Sequence, residues 1–319
     1  MIRAGLLGAA RIAPKAFITP AKARGDIDIV AVGSRSDDKA QTFIAQNVLP
    51  KARAMSYEAV CTDPSVDIVY CALPPAAHLE FVSLALENGK AVLCEKPFSM
   101  TADEAQIMAD ISARTGVFLM EGYHYFFHPA FKFLSAQIAK GAIGDVTGFR
   151  GEFSHPIPNS PGQLRYLRAL GGGALMDLGC YPLHAFRQLI GEPDIVSANA
   201  VMTGDVDSAM TAQVKCGDVP GEIICDMGPQ AAGIVRLEIE GTSGQIVFDS
   251  FVAPQNGHNI AVSAGGQTQN YEIEGLFSYA AQLEAFVTAL GDSHHPLSPA
   301  DSVLQMRAID EIYAKSGLF

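Results

Sequence analysis

The chain has 319 residues, 49% of them apolar and 18% charged, the composition of a packed globular protein long enough for two domains. Lys and Arg number 22 against 34 Asp and Glu, a net charge of −12, and no stretch gathers the basic residues into a phosphate-tracking surface, which argues against nucleic acid as a partner. Charges or Gly/Pro interrupt every apolar segment before the roughly 18–20 residues that a bilayer span needs, so no membrane association is expected.

The opening MIRAGLLGAA reads as a strand starting at Ile2 and lacks the basic and long apolar regions of an export signal, which predicts a cytoplasmic protein. Cys61, Cys71, Cys94, Cys180, Cys216 and Cys225 stand singly with no CxxC pair, which fits a reducing compartment and no metal site. Up to residue 122, short apolar runs (IRAGLLG, IDIVAVGS, VDIVYCAL, KAVLCEK, VFLME) alternate with amphipathic, helix-like segments. That pattern predicts an α/β Rossmann domain over 1–122: a doubly wound parallel sheet that binds ligands at the carboxyl ends of its strands.

Beyond it the texture changes. A helix-like FHPAFKFLSAQIAKG leads to a strand-like DVTGFRGEFSH, a Gly/Pro loop, another helix, and strands from Ile195 to about Tyr271. The expectation for 123–319 is a substrate-binding and oligomerisation α+β domain. Its open, mostly antiparallel sheet would offer an uncovered face as a homodimer surface. Helix-like segments over Ser278–Leu290 and Pro299–Lys315 close the chain.

The first strand ends in Gly5-Leu-Leu-Gly8-Ala9-Ala10-Arg11-Ile12-Ala13, a relaxed dinucleotide fingerprint. Gly8 would make the tight turn, Ala10 would sit where backbone approaches a pyrophosphate, and Ala13 would let the helix pack on the strand. The second strand ends in Ser34-Arg35-Ser36 rather than a carboxylate. A hydroxyl followed by a guanidinium suits a ribose 2′-phosphate, so NADP is the expected cofactor. The alternative, NAD, leaves Arg35 solvated and gives the ribose to Asp37 or Asp38.

The fifth apolar run ends in Cys94-Glu95-Lys96-Pro97, which puts a lysine at the sheet's carboxyl edge, where it can hold a substrate hydroxyl; the proline can support a cis bond. Farther on, Gly171-Gly-Gly-Ala-Leu-Met-Asp177-Leu-Gly-Cys-Tyr181-Pro-Leu-His184 sets Asp177 and Tyr181 four apart, on one helix face, with Pro182 predicted to kink the helix. His124 and His128 are also four apart, but no third ligand is spaced to complete a metal site, and Pro129 interrupts the helix they would share. His294 and His295 read as an exposed loop.

Four motifs, GLLGAARIA, CEKP, MEGYHYFFHP and GGGALMDLGCYPLH, occur in the order and at the spacings of the glucose-fructose oxidoreductase, inositol dehydrogenase and MocA family, which the whole chain resembles. The pattern is most similar to the branch with dimeric dihydrodiol dehydrogenase and NADP-dependent xylose dehydrogenase, where Tyr occupies the position of Tyr181. The resemblance implies a Rossmann domain, an open-faced α/β domain and an active site between them. It implies that Lys96 orients substrate, Tyr181 acts as acid/base and Asp177 contacts substrate. It also implies a cofactor set of Gly8, Ala10, Arg11, Ile12, Ser34, Arg35, Leu73, Pro74, His78, Glu95 and Lys96, with Arg165 near the cofactor.

The family's usual Ala and Arg are replaced by Gly122 and Phe126, a change that loses a polar contact or leaves it to His124 or Tyr125 at the substrate. The expected activity is hydride transfer between nicotinamide and a hydroxyl or carbonyl carbon of a sugar, cyclitol or related diol. Two alternatives are a non-catalytic NAD(P)-binding regulator, and a sugar–sugar oxidoreductase that holds NADP permanently. Retention of Lys96, Asp177 and Tyr181 together argues against the regulator.

Overall fold

The computed structural model describes residues 1–290 and 297–318; His294 and His295 lie outside the described residues. The chain forms two compact units, Met1–Tyr123 with Tyr279–Val303, and His124–Ser278 with Leu304–Phe319. The described residues of Tyr279–Val303 thus group with the first unit, where a contiguous division at residue 122 assigns them to the second.

In the first unit, β1 (Ile2–Leu7), α1 (Thr19–Arg24), β2 (Ile27–Gly33), α2 (Asp37–Gln46), β3 (Arg53–Met55), α3 (Tyr57–Thr62), β4 (Ile68–Cys71), α4 (His78–Glu87), β5 (Ala91–Cys94), α5 (Ala102–Thr115) and β6 (Leu119–Glu121) alternate along the chain. Every strand pair is parallel, in the order β3-β2-β1-β4-β5-β6. The apolar runs are buried on both faces, β4 and β5 completely, because helices cover each side of the sheet. Strand β3 is the element the sequence pattern does not announce. It is three residues at the sheet edge, with Arg53 exposed, too short to show a period of two.

In the second unit, α6 (Pro129–Ala139), β7 (Val146–Ser154) and α7 (Cys180–Leu189) precede the strands β8 (Asp194–Thr203), β9 (Val206–Cys216), β10 (Val219–Asp226), β11 (Val235–Gly241), β12 (Gly244–Asp249), β13 (Asn259–Ala264) and β14 (Gln267–Tyr271). The eight strands run β14-β13-β12-β11-β7-β10-β9-β8; only the β10–β7 pair is parallel. The last helices are α8 (Ser278–Ala289) and α9 (Pro299–Lys315).

Helix α7 lies close on this sheet. A Cβ at Gly151 would sit 2.7 Å from the Pro182 ring, so only a bare Cα on β7 admits the helix at this depth. Phe186 meets Phe149 edge to face, with ring centroids 5.2 Å apart. Pro129 does not break a helix that His124 and His128 share: it is the first residue of α6, and His128 caps it by accepting the Ala130 N–H at Nδ1, 3.1 Å away. His124 belongs to a separate 3-10 turn, His124–Phe127.

Candidate active site

The turn after β1 is built as the glycine pattern predicts. Gly8 has φ +102°, and its N–H donates to the Gly33 carbonyl at 3.1 Å, which ties the tips of β1 and β2 together. Beyond it Ala9, Ala10 and Ile12 are half-buried, Arg11 is exposed and Ala13 is buried against the sheet. Ser34 is buried at the end of β2, and Arg35 is exposed; among the described residues Arg35 makes no ion pair.

A cavity of about 420 Å³ opens beside Ala9, lined by Ser36, Asp38, Lys39, Thr42 and Phe43 of the α2 end. A glycine turn with room beside it, and with Lys39 and Asp38 both on the lining, fits a dinucleotide with its ribose at the tip of β2. Lys39 on this rim escapes sequence reading because it lies one helical turn past the β2 tip. Ser36 caps α2 by accepting the Lys39 N–H at 3.4 Å, while Asp37 binds the Gln41 amide at 2.6 Å.

At the ends of β4 and β5, His78 is fully buried. Its Nε2 bonds the Leu73 carbonyl at 2.8 Å, and its Nδ1 lies 3.1 Å from the Phe98 carbonyl and 3.4 Å from Cys94 Sγ. His78 therefore staples the loop after β4, with Leu73 and Pro74, to the loop after β5, with Glu95 and Lys96. Burial lowers its pKa and holds it neutral, with the Leu73 and Phe98 carbonyls opposing the shift.

Cys71, His78 and Cys94 place one ligand atom each within 4.8 Å, a cluster invisible in the sequence because its members come from two strands and a helix. Burial pushes the Cys94 thiol up, and its Sγ lies 3.4 Å from His78 Nδ1. The half-buried Glu95 accepts the Tyr70 hydroxyl at 2.6 Å; burial raises its pKa, against the pull of Tyr70 and Lys96. The Lys96–Pro97 bond is cis.

In the second unit the Gly-rich motif does not open as a regular helix. Leu175–Gly179 forms a π-helical turn that runs into α7 at Cys180, so the disturbance expected at Pro182 appears one turn earlier as a widened turn. Asp207 on β9 fixes its start by accepting the Leu175 N–H at 2.7 Å and the Tyr313 hydroxyl at 3.0 Å. Asp177 is taken by the Arg165 guanidinium, so Arg165 is a partner of the candidate substrate carboxylate.

Tyr181, 5% exposed, is ringed by Phe153, Tyr125 and His124, with centroids 5.6, 5.9 and 6.0 Å away. Its hydroxyl lies 3.4 Å from His124 Nε2, and His124 Nδ1 lies 2.8 Å from Ser278 Oγ. Tyr125 is fully buried and its hydroxyl bonds His184 Nδ1 at 2.7 Å, which makes it a wall of the Tyr181 pocket. Burial and the nearby Arg187 hold the His184 pKa well below its usual value. Phe126, at the position of the family's Arg, packs on Phe127, Phe131 and His184. Asp207 and Ser278 are the members of this site that sequence reading misses.

Residues 2–123 match the oxidoreductase family with an NAD-binding Rossmann fold, and residues 131–247 match the GFO/IDH/MocA C-terminal domain. The chain belongs to the GFO/IDH/MocA oxidoreductase family. It is 31% identical over 314 residues to an NADP-dependent D-xylose 1-dehydrogenase from Haloferax volcanii, covering 97% of this chain and 95% of that relative. It is 38% identical over 231 residues to a trans-1,2-dihydrobenzene-1,2-diol dehydrogenase from Xenopus laevis, covering 71% and 68%. A 3-ketoreductase from Actinomadura kijaniata, solved with NADP and TDP-benzene, superimposes with TM-score 0.91 at 25% identity over 98% of this chain and 97% of that one. An aldose-aldose oxidoreductase from Caulobacter crescentus gives 0.89 at 25% identity, over 99% and 97%. As a GFO/IDH/MocA protein the chain is an NAD(P)-dependent oxidoreductase whose Rossmann unit is the cofactor-binding domain.

Proposed function

We propose that this GFO/IDH/MocA protein is an NADP-dependent dehydrogenase or reductase acting on a CH–OH or carbonyl carbon of a sugar, cyclitol or related diol. Its NADP-linked xylose and dihydrodiol relatives support the substrate class. The observation that carries the reading is the nearly buried Tyr181 phenol, held by an imidazole and walled by aromatic rings, in a chain that also carries Lys96 at the carboxyl end of β5. Bound NADP supplies the hydride acceptor or donor. Gly8, Ala10, Arg11 and Ile12 would hold its pyrophosphate, Ser34 and Arg35 would hold its ribose 2′-phosphate, and Leu73, Pro74, Glu95 and Lys96 would complete its site.

Lys96 orients the substrate hydroxyl. Tyr181 takes its proton in oxidation and returns it in reduction, and Asp177, fixed by Arg165, binds a neighbouring hydroxyl. Substituting Tyr181 by Phe is expected to abolish turnover in a screen of aldoses, cyclitols and diols while NADPH affinity stays within about twofold. Turnover within a few-fold of wild type would remove Tyr181 from this role. The likeness to an aldose-aldose oxidoreductase favours a second reading, in which one sugar is oxidised and another reduced on a retained NADP. Purified protein that carries NADP through gel filtration supports that reading; cofactor-free protein supports the first.

Among the described residues no helix is long and apolar enough to cross a membrane. The reading includes a cytoplasmic homodimer joined through the eight-stranded sheet, whose edge strand β8 exposes Val196, Val201 and Met202. A monomer mass in sedimentation at micromolar concentration would remove the dimer.

A further inference from the structure

Oxidation of an alcohol releases a proton, and Tyr181, which receives it in the proposed function, is 5% exposed. Within the second unit its hydroxyl has an imidazole neighbour. Tyr181 Oη faces His124 Nε2 at 3.4 Å; on the other side of the ring, His124 Nδ1 faces Ser278 Oγ at 2.8 Å. His124 is 2% exposed and Ser278 fully buried, so both contacts are shielded from competing water.

We infer that His124 is a proton-relay and positioning residue for Tyr181, an assignment that rests on Tyr181 being the acid/base. An imidazole with its proton on Nδ1 donates to Ser278 Oγ and offers the Nε2 lone pair to the phenol. The Tyr181 proton then points at His124, with the phenolic oxygen as the acceptor of the substrate proton. In oxidation the substrate O–H bond breaks as the Tyr181 oxygen gains that proton. The phenol passes its own proton to His124 Nε2, and the imidazolium so formed keeps its Nδ1–H on Ser278 Oγ, which accepts it. Tyr181 ends with the proton that it took from the substrate, the ring holds the proton that Tyr181 gave up, and reduction runs the same transfers backwards. The 3.4 Å contact is at the long end for a hydrogen bond, as is common before substrate tightens a catalytic site. Sequence reading gave His124 a substrate contact; its two ring nitrogens are instead directed at two protein hydroxyls.

The test begins without substrate. In full-length protein labelled with ¹⁵N-histidine, His124, assigned by the signal lost in His124→Phe, is expected as the neutral Nδ1-protonated tautomer. Its Nε2 resonance is expected to move in Tyr181→Phe, and its Nδ1–H resonance in Ser278→Ala. An Nε2-protonated ring, or an Nε2 signal indifferent to Tyr181→Phe, would overturn the relay. Should His124→Phe fail to fold, His124→Gln makes the same assignment.

The second arm uses the aldose or diol oxidised fastest by wild type in the screen. His124→Phe is expected to lower kcat about a hundredfold and to raise the solvent deuterium isotope effect, and the truncated His124→Gly to recover with added imidazole, none of which a merely structural loss would produce together. An active Tyr181→Phe defeats the acid/base reading, and the assignment that rests on it, whatever the NMR result. An inactive Tyr181→Phe beside a His124→Phe variant at the wild-type rate and isotope effect defeats the relay alone.

Discussion

Asp207 accepts the backbone N–H of Leu175 at 2.7 Å, and through that bond β9 sets where the π-helical turn carrying Asp177 begins. The carboxylate is nearly buried, and burial raises its pKa from 3.8 to about 6, against the Leu175 N–H and the Tyr313 hydroxyl, which favour the charged form. The folded protein therefore binds this proton more tightly than the unfolded chain does. The stability it contributes is complete below about pH 4 and is lost as pH rises through about 6, a change of about 3 kcal/mol for a shift of about two pH units. Asp207→Asn keeps an acceptor for Leu175 and a polar partner for Tyr313. Urea midpoints measured from pH 4 to 7 are expected to fall more steeply for wild type than for the variant.

The buried histidines act in the opposite direction. His78 and His184 have pKa values lowered by burial, so acid charges them in the unfolded chain first. Their contribution is present above the ordinary histidine value of about 6.5 and is lost as pH falls toward their folded values. Gln at position 78 can still donate to the Leu73 carbonyl without titrating. His78→Gln is expected to be less stable than wild type at pH 8 by about 1–3 kcal/mol, since the second carbonyl contact changes. It should lose less stability than wild type between pH 7 and 5. Equal acid sensitivity would show that His78 is not the titrating group.

Much of this molecule is legible from residue order because its decisive signals are local. The glycine after β1, the apolar runs buried on both faces and the alternating strands from Ile195 each carry their own periodicity, and the observed sheets follow them. What escapes is carried by partners distant in sequence. Ser278 reaches His124 across 154 positions and Asp207 reaches Leu175 across 32, and neither stands in a recognisable motif. The π-helical turn escapes for a different reason: its width is set by β9 holding one end and by the close seat of Pro182 on Gly151. Tyr125 and His78 stand in readable motifs, but only the fold shows that the Tyr125 hydroxyl bonds His184 and that the His78 ring lies between the Leu73 and Phe98 carbonyls.

Gly8 provides a test of the cofactor turn. At φ +102°, a Cβ would lie 3.1 Å from the Ala72 carbonyl oxygen, a backbone atom that cannot move without displacing the end of β4. Gly8→Ala is expected to cost about 1–3 kcal/mol and to weaken NADPH and NADH binding together, since the damage falls on the turn rather than on the ribose. Fluorescence titrations of both cofactors beside thermal melts would check this; selective loss of one cofactor would contradict it.

Preference for NADPH depends on charge at the β2 tip, where Arg35 and Lys39 offer positive groups and Asp38 lines the same cavity as Lys39. A 2′-phosphate gains charge-assisted hydrogen bonds from the cations and is repelled by the carboxylate, whereas a ribose diol is served by the carboxylate. A hydrogen bond to a charged group contributes about 1.5–3 kcal/mol, so Arg35→Ala is expected to weaken NADPH about tenfold to a hundredfold and leave NADH nearly unchanged. Lys39→Ala should act in the same direction with a smaller effect, because a point charge lacks the planar fork of arginine. Asp38→Asn should tighten NADPH by removing the repulsion. Titration of cofactor-stripped protein with each nucleotide separates these outcomes. Were Asp38→Asn to weaken NADH strongly while Arg35→Ala changed nothing, the ribose would belong to the carboxylate and NAD would be the cofactor.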